Sequence, residues 1–322
     1  MEGIAGLAFA ASQQDVAENM PRLILLRLLA LVPTLLLVLA LSFALMRLAP
    51  GGPFDQERPL DPAAMARLRS VYALDAPLWR QFLDYVGALA TGDFGPSLSW
   101  RNFTVGELFR QGLPVSAALG ASALGIGLPI GAAAGLFAAS RAGSAGDWIV
   151  STVANLGIML PSFVLAPLLQ LVFGLWLKWL PVGGSGDLRH YLLPVAVLAA
   201  PQVAAVARLT RRAAAEALQA PSQITALAFG LPERVRLGRA FRAALLPLLS
   251  YTGPAAASVM TGSIVVETLF GLPGVGRYFV QGALDRDYTV SLAAVLLAAS
   301  AVVVLNLAVD IAYLFADPRV RG

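Results

Sequence analysis

The chain has 322 residues, of which 58% are hydrophobic and only 13% charged, with a net charge of +4. A soluble domain carries about a quarter charged residues, so this composition describes a protein that crosses a membrane several times. Zero cysteines and one histidine, His190, exclude disulfides, sulfur-based zinc and multi-histidine metal sites, and no basic stripe interleaved with aromatics suggests nucleic acid.

Residues 1–20 begin acidic, at Met1-Glu-Gly, with no basic segment ahead of the weakly apolar 4–11. They make a poor signal peptide and read as a disordered extension or a misassigned start before Met20-Pro-Arg22. The first span is expected over about 28–48, within a unit 21–49, and ends at Arg47-Leu-Ala-Pro-Gly-Gly-Pro53, where Pro and Gly stop a helix. Residues 50–113 form a polar insert of nearly balanced charge. It holds expected short helices at 62–72 and 77–89, the second with Leu78, Phe82 and Tyr85 on one face, and a turn at Gly92-Asp-Phe-Gly-Pro-Ser97. The insert is either a small cap on the membrane domain or a docking surface for a solute-binding protein.

The core, 114–322, begins with a Gly- and Ala-rich span over about 115–139, where small residues let helices approach closely in lipid. The apolar run 148–180 is too long for one straight span and too short for two with a hairpin. The expectation is a span to about 168, interrupted at Leu160-Pro-Ser162, then an interfacial helix through Trp176 and Trp179. Further spans are expected over about 190–209, 246–269 and 290–315. Between the fourth and fifth lies the segment 208–247. Arg208, Arg211, Arg212, Arg234, Arg236, Arg239 and Arg242 there face only Glu216 and Glu233, which places the segment in the cytoplasm, with both termini.

The single lysine, Lys178, sits in Leu175-Trp-Leu-Lys-Trp-Leu180 without a Gly-rich turn, so the chain has no phosphate-cradling loop of its own. Gly271, Gly274 and Gly276 with Pro273 form a tight turn rather than a dinucleotide fingerprint, because no strand precedes them. Glu267 and Asp310 are acids near membrane depth, each a functional candidate because charge there is costly. A wet vestibule suits Glu267 and a buried pair or cap suits Asp310. His190 reads as interfacial, and Asn155 and Asn306 as bonding across helices.

Several stretches carry a family resemblance. Ala-Glu-Ala-Leu at 215–218 precedes Thr225-Ala-Leu-Ala-Phe-Gly-Leu-Pro232 and Leu245-Leu246-Pro247, in the layout of the coupling loop of importer-type ABC permeases. Thr261-Gly-Ser-Ile-Val-Val-Glu-Thr-Leu-Phe-Gly-Leu-Pro-Gly-Val-Gly276, Ala283-Leu-Asp-Arg-Asp-Tyr288 and Asn306-Leu-Ala-Val-Asp310-Ile-Ala-Tyr313 resemble bacterial di- and oligopeptide permeases. Pro50-Gly-Gly-Pro-Phe-Asp-Gln-Glu-Arg58 and residues 92–97 look most like the B-type membrane subunits of those importers. The resemblance implies six transmembrane helices of the type I importer permease fold, all-α, with a small helical extracytoplasmic insert, in a bacterial inner membrane. It implies no enzymatic activity and no cofactor in this chain. ATP and Mg belong to two partner ATP-binding subunits, and a homologous second permease subunit, an extracytoplasmic peptide-binding protein and membrane lipid are the other partners. Glu216 and the stretch Thr225, Ala226, Leu227, Ala228, Phe229, Gly230, Leu231 and Pro232 would couple to the ATPase, with Leu227 and Phe229 standing where relatives often carry basic residues. Glu267, Gly271, Pro273, Gly274 and Gly276 would border the outer gate or vestibule. Nickel, glutathione, haem-precursor and sugar systems share this family, so another substrate stays open, as does an ion-coupled secondary transporter.

Overall fold

The computed structural model describes residues 29–48, 76–100 and 102–316, apart from the side chains of 310 and 313–316. Among these residues the protein is helical. In chain order it has α1 (Leu29–Leu48), α2 (Leu78–Ala90), α3 (Val105–Ser140), α4 (Ala145–Met159) and α5 (Ser162–Leu169), which widens into a π-helical segment, Gln170–Trp176. Then follow α6 (Arg189–Leu218), α7 (Pro221–Ala228), α8 (Glu233–Phe270), α9 (Val275–Leu284) and α10 (Tyr288–Ala316). The expected helix 62–72, the Pro50–Arg58 motif, residues 1–20 and the side chain of Asp310 lie outside the described residues.

Five helices, α1, α3, α6, α8 and α10, are long and apolar enough to cross a membrane. The sixth crossing is broken. Helices α4 and α5 meet at 106° across a two-residue gap, Leu160–Pro161. Pro161 has no N–H to donate, so the α4 ladder stops there and Pro161 starts a new helix as its N-cap. The two halves nevertheless connect opposite ends of the bundle. Asp147 in the first turn of α4 pairs with Arg211 near the end of α6, whereas Gln170 after α5 donates to Val182 O at 2.6 Å, beside the last turn of α8. The expected interruption is therefore present, as a sharp bend. The helix does not run on through Trp179, because Lys178 takes a left-handed conformation (φ +55°) that ends it after Trp176.

Two boundaries differ from expectation. Helix α3 starts ten residues before 115, because Thr104 and Glu107 form a reciprocal capping box: Glu107 N–H donates to Thr104 Oγ1 at 3.2 Å and Thr104 N–H to Glu107 Oε2 at 2.8 Å. The helices of the fourth and fifth spans, expected over about 190–209 and 246–269, also run on into the segment 208–247, and only residues 219–232 stand outside those two helices.

The centre of the bundle is the contact of α3 with α6. Gly127, Gly131 and Gly135 recur every four residues and so share one face of α3. A Cβ at Gly131 would lie 2.7 Å from both Val203 O and Val206 Cβ, and one at Gly135 would lie 2.7 Å from Thr210 Cβ and 2.9 Å from Arg211 N. The two backbones thus touch with no side chain between them, which is how helices gain van der Waals contact in lipid. Leu119, Ala123, Leu193, Val197, Leu198, Val259, Val266 and Phe270 continue the core onto α8. Asn306 of α10 lies against α8, its Oδ1 in the space where Gly253 lacks a side chain, a packing contact between the two helices. Asn155 is exposed on α4, against that reading. Helix α2 lays Phe82, Tyr85, Val86 and Leu89 against Leu39 and Phe43 of α1 and Leu292 of α10.

Replacing Gly131 with Leu is expected to separate α3 from α6, costing about 3 kcal/mol as overpacking. The thermal midpoint of the detergent-solubilised protein should fall sharply or the protein should fail to accumulate. Gly125→Leu, on an open face where no atom lies within 4 Å of the added carbon, should leave the midpoint unchanged.

Candidate functional site

The bundle has two ends, each with a feature the sequence singles out. At one end α6 and α8 project beyond the packed core and α7 bridges them. Helix α7 starts at Pro221, favoured where the missing N–H is needed by no partner, and ends at Gly230 (φ +73°). There Leu231 N–H donates to Ala226 O at 3.1 Å and Gly230 N–H to Leu227 O at 2.9 Å, satisfying the last carbonyls. Gln223 and Ala226, one turn apart, are buried against the bundle. The opposite side is apolar and open: Ile224 is 60% exposed, Leu227 56% and Phe229 80%. Leu231 and Pro232 complete the turn into α8, and Thr225, whose hydroxyl donates to Pro221 O, and Ala228 are also exposed. Glu216 lies on the last turn of α6, exposed, not within the short helix. The expected coupling residues are thus gathered at one tip, with arginines on both flanking helices.

At the other end the Gly-rich turn joins α8 to α9. Gly271 takes the left-handed conformation (φ +65°) that ends α8, and Leu272 N–H donates back to Glu267 O at 2.8 Å. Helix α9 then begins over two acceptors, half-buried Ser116 and buried Glu267. Val275 N–H donates to Ser116 Oγ of α3 at 2.9 Å and Gly276 N–H to Glu267 Oε2 at 2.7 Å. A side chain at Gly274 would overlap the Glu267 carboxyl, and one at Gly276 would come within 2.8 Å of Glu267 Oε2 and 2.5 Å of Ile264 Cα. The motif Glu267-x-x-x-Gly-Leu-Pro-Gly-x-Gly276 is therefore one device: an acid in α8, a reversal through Gly271 and Pro273, and two glycines that let the helix start sit on the acid. Negative charge at a helix start is favourable. The expectation that Glu267 faces a wet vestibule fails at the carboxyl, which has 0% exposure because the returning turn seals it.

Next to this turn is a cluster the sequence reading did not foresee. Asp287, also with 0% exposure, stands at the start of α10. Its Oδ2 accepts from Ser97 Oγ at 2.6 Å, Leu98 N–H at 2.8 Å and Ser99 N–H at 3.0 Å, and its Oδ1 from Thr289 Oγ1 at 2.8 Å and Val290 N–H at 3.1 Å. Two stretches noted separately, 92–97 and 283–288, are in direct contact. The available signal was an Asp one residue before an apolar run, an N-cap pattern. Arg47 at the end of α1 adds to this junction, its guanidinium 4.9 Å from the centre of the Tyr288 ring. His190 lies in a separate small turn, where Nδ1 shares a 2.8 Å hydrogen bond with Asp187 Oδ1 and thereby holds the Asp187 carboxyl below its usual range.

The fold defines a helical membrane protein with an exposed apolar short helix at one end of its bundle and a sealed Gly-rich turn at the other. Residues 131–322 match the family described as binding-protein-dependent transport system inner membrane component, and the chain belongs to that family. It is 43% identical over 305 residues to the oligopeptide transport system permease protein OppB of Escherichia coli K12, covering 94% of this chain and 100% of that protein. Identity to OppB of Haemophilus influenzae is 42% over 305 residues, with the same coverage. The dipeptide transport system permease protein DppB of Bacillus subtilis is 37% identical over 303 residues, 94% of this chain and 98% of that one. The protein is thus a membrane permease subunit of an ABC importer and not an enzyme.

Asp287→Ala removes the acceptor of five hydrogen bonds and strands buried N–H groups, at an expected cost of about 3 kcal/mol. Limited proteolysis should show new cleavage around 97–100, while the α7 end keeps its wild-type resistance.

Proposed function

We propose that the chain carries oligopeptides or dipeptides inward across a bacterial inner membrane, together with a homologous second permease subunit. An extracytoplasmic binding protein delivers the peptide, and two ATP-binding subunits, loaded with Mg and ATP, drive alternating access through α7. The exposed apolar tip of α7 carries this reading. A lone helix displaying Ile224, Leu227 and Phe229 to water is unfavourable unless another protein covers it. The two membrane-crossing helices that hold it make its displacement a displacement of the pathway walls. Nucleotide binding on the partners supplies the difference in affinity between the inward- and outward-open states, without which no ligand shifts the equilibrium.

Charge supports the orientation. Arg208, Arg211, Arg212, Arg234, Arg236, Arg239 and Arg242 all lie at the α7 end, which is the pattern of a cytoplasmic face. Helix α1 then enters the membrane from the cytoplasm and α10 returns to it, so both termini are cytoplasmic. The α9 end faces outward, where the turn through Gly271, Pro273, Gly274 and Gly276 borders the outer mouth and Glu267 holds it from beneath. The insert before α3 lies on the same side, within reach of the binding protein. The 43% identity to an oligopeptide permease protein over nearly the whole chain supports a peptide as the substrate.

The test pairs capture with transport. Phe229→Asp places a charge where an apolar groove should receive the ring. Co-purification of the ATPase subunits should fall at least tenfold, with the second membrane subunit retained and ATP-dependent uptake of a labelled peptide lost. Full retention of the ATPases would remove α7 as the docking element.

A further inference from the structure

We infer that the ion pair between buried Asp147 and half-exposed Arg211 is a positioning contact that makes α4, the first half of the broken span, travel with the end of α6 that leads into α7. The inference rests on the coupling role proposed for α7. Asp147 is 4% exposed although it is ionisable and lies in the first turn of α4. Both its oxygens are engaged: Arg211 donates through Nε to Oδ1 and through Nη2 to Oδ2 at 2.7 Å, Gly143 N–H donates to Oδ2 at 2.9 Å, and Ser151 Oγ donates to Oδ1 at 3.3 Å. A two-pronged guanidinium–carboxylate contact fixes direction as well as distance.

Its place in the fold gives it consequence. From Arg211, α6 runs seven residues to Leu218, about 10 Å, and α7 begins after a two-residue gap. Helix α3 meets α6 at the same level, with Gly135 against Thr210 and Arg211. Farther along α4, Ala154 and Gly157 pack against Ala204 and Ala207, small side chains that offer little resistance to sliding. The ion pair adds a directional contact to this smooth seam. At the far end α5 packs against both α6 and α8 through Leu165, Ala166 and Leu169, and the Gln170 side chain after it donates to Val182 O and reaches Leu269 O of α8 at 3.5 Å. One half of the span is therefore fastened to the end of α6 by a directional ion pair, and the other half is held in the apolar core that α6 and α8 share. The bend at Leu160–Pro161, where the helical ladder is interrupted, is the place that absorbs any difference between them. A pull on α7 becomes a change of angle within the membrane at Pro161.

The experiment uses the reconstituted complex, and the chain's lack of cysteine makes it direct. Asp147→Cys with Arg211→Cys removes both charges, so neither is left buried alone. In the reduced form ATP hydrolysis should stay within about twofold of wild type while peptide uptake falls at least tenfold. Joining the two thiols with a short bis-methanethiosulfonate should restore at least a third of the uptake, and reduction should abolish it again. Wild-type uptake in the reduced form, or a tether that blocks uptake, would overturn the inference, the second because the pair would then have to part during the cycle. Where the double variant does not assemble, Arg211→Lys keeps the charge but loses the two-pronged geometry. Peptide carried per ATP should then drop about threefold with assembly intact, and an unchanged ratio would overturn the inference. If the wild-type chain itself captures no ATPase, it is the coupling reading that fails.

Discussion

The close approach of α3 and α6 is the constraint on which the rest of the bundle depends. Lipid gives apolar side chains no reason to leave it, so two helices associate only where their surfaces fit more closely to each other than to acyl chains. Gly127, Gly131 and Gly135 provide that fit by leaving Ala199, Val203 and Val206 to lie directly on the α3 backbone. With this pair fixed, α8 packs on the core through Val259 and Val266, and α4 lies against α6 through alanines. The same seam brings Gly135 level with Arg211, so the centre of the fold is built into the region that leads to α7.

Buried carboxylates serve this protein as structural anchors. Glu267 receives the start of α9, Asp287 gathers the turn 97–99 onto α10, and Asp147 holds Arg211. At Asp287 and Asp147 the cost of burying an acid is offset by donors aimed at both oxygens, whereas Glu267 is met at Oε2 by Gly276 N–H and its Oε1 has no hydrogen-bond partner. The anchors occupy the joints between elements that the apolar core leaves unspecified. A hydrophobic stripe can slide along its partner, but a carboxylate shared among five donors cannot. The default reading of an intramembrane acid as a substrate or proton group therefore gives way, at Glu267, to an acid that positions a turn.

Much of the architecture was legible in the chain because it follows from local physics. The spans follow from runs of apolar residues, and the end of α7 from Gly230. The interruption near residue 160 follows from Leu-Pro-Ser, and the tight turn near 271 from glycines and a proline. Helix ends were less legible. The start of α3 was placed ten residues late, although Thr104-Val-Gly-Glu107 has the pattern of a capping box, because the polar residues around it weighed as insert. The ends of α6 and α8 extend past the apolar runs for a related reason: outside lipid a helix needs no apolar run, and arginine is as good a helix former as leucine. The acids show the limit most clearly. A local N-cap pattern marks Asp287, but nothing local shows that Ser97 and two neighbouring amides from about 190 positions earlier in the chain will seal it, whereas Asp285 two residues away stays half-buried.

Composition and local spacing are enough to give the class of protein, the apolar runs of its spans, the basic end and the short helix with its apolar tip. Each of these depends on composition or on spacing within a few residues, where hydropathy, helix period and turn chemistry act. Tertiary structure alone decided that the third crossing bends by 106°, that the glycines of α3 face α6, and that Glu267, Asp287 and Asp147 are sealed against distant partners. Those outcomes depend on which backbone groups arrive beside a residue after packing. A carboxyl group has the same chemistry at every position, and its role is assigned by the donors that the folded chain places around it.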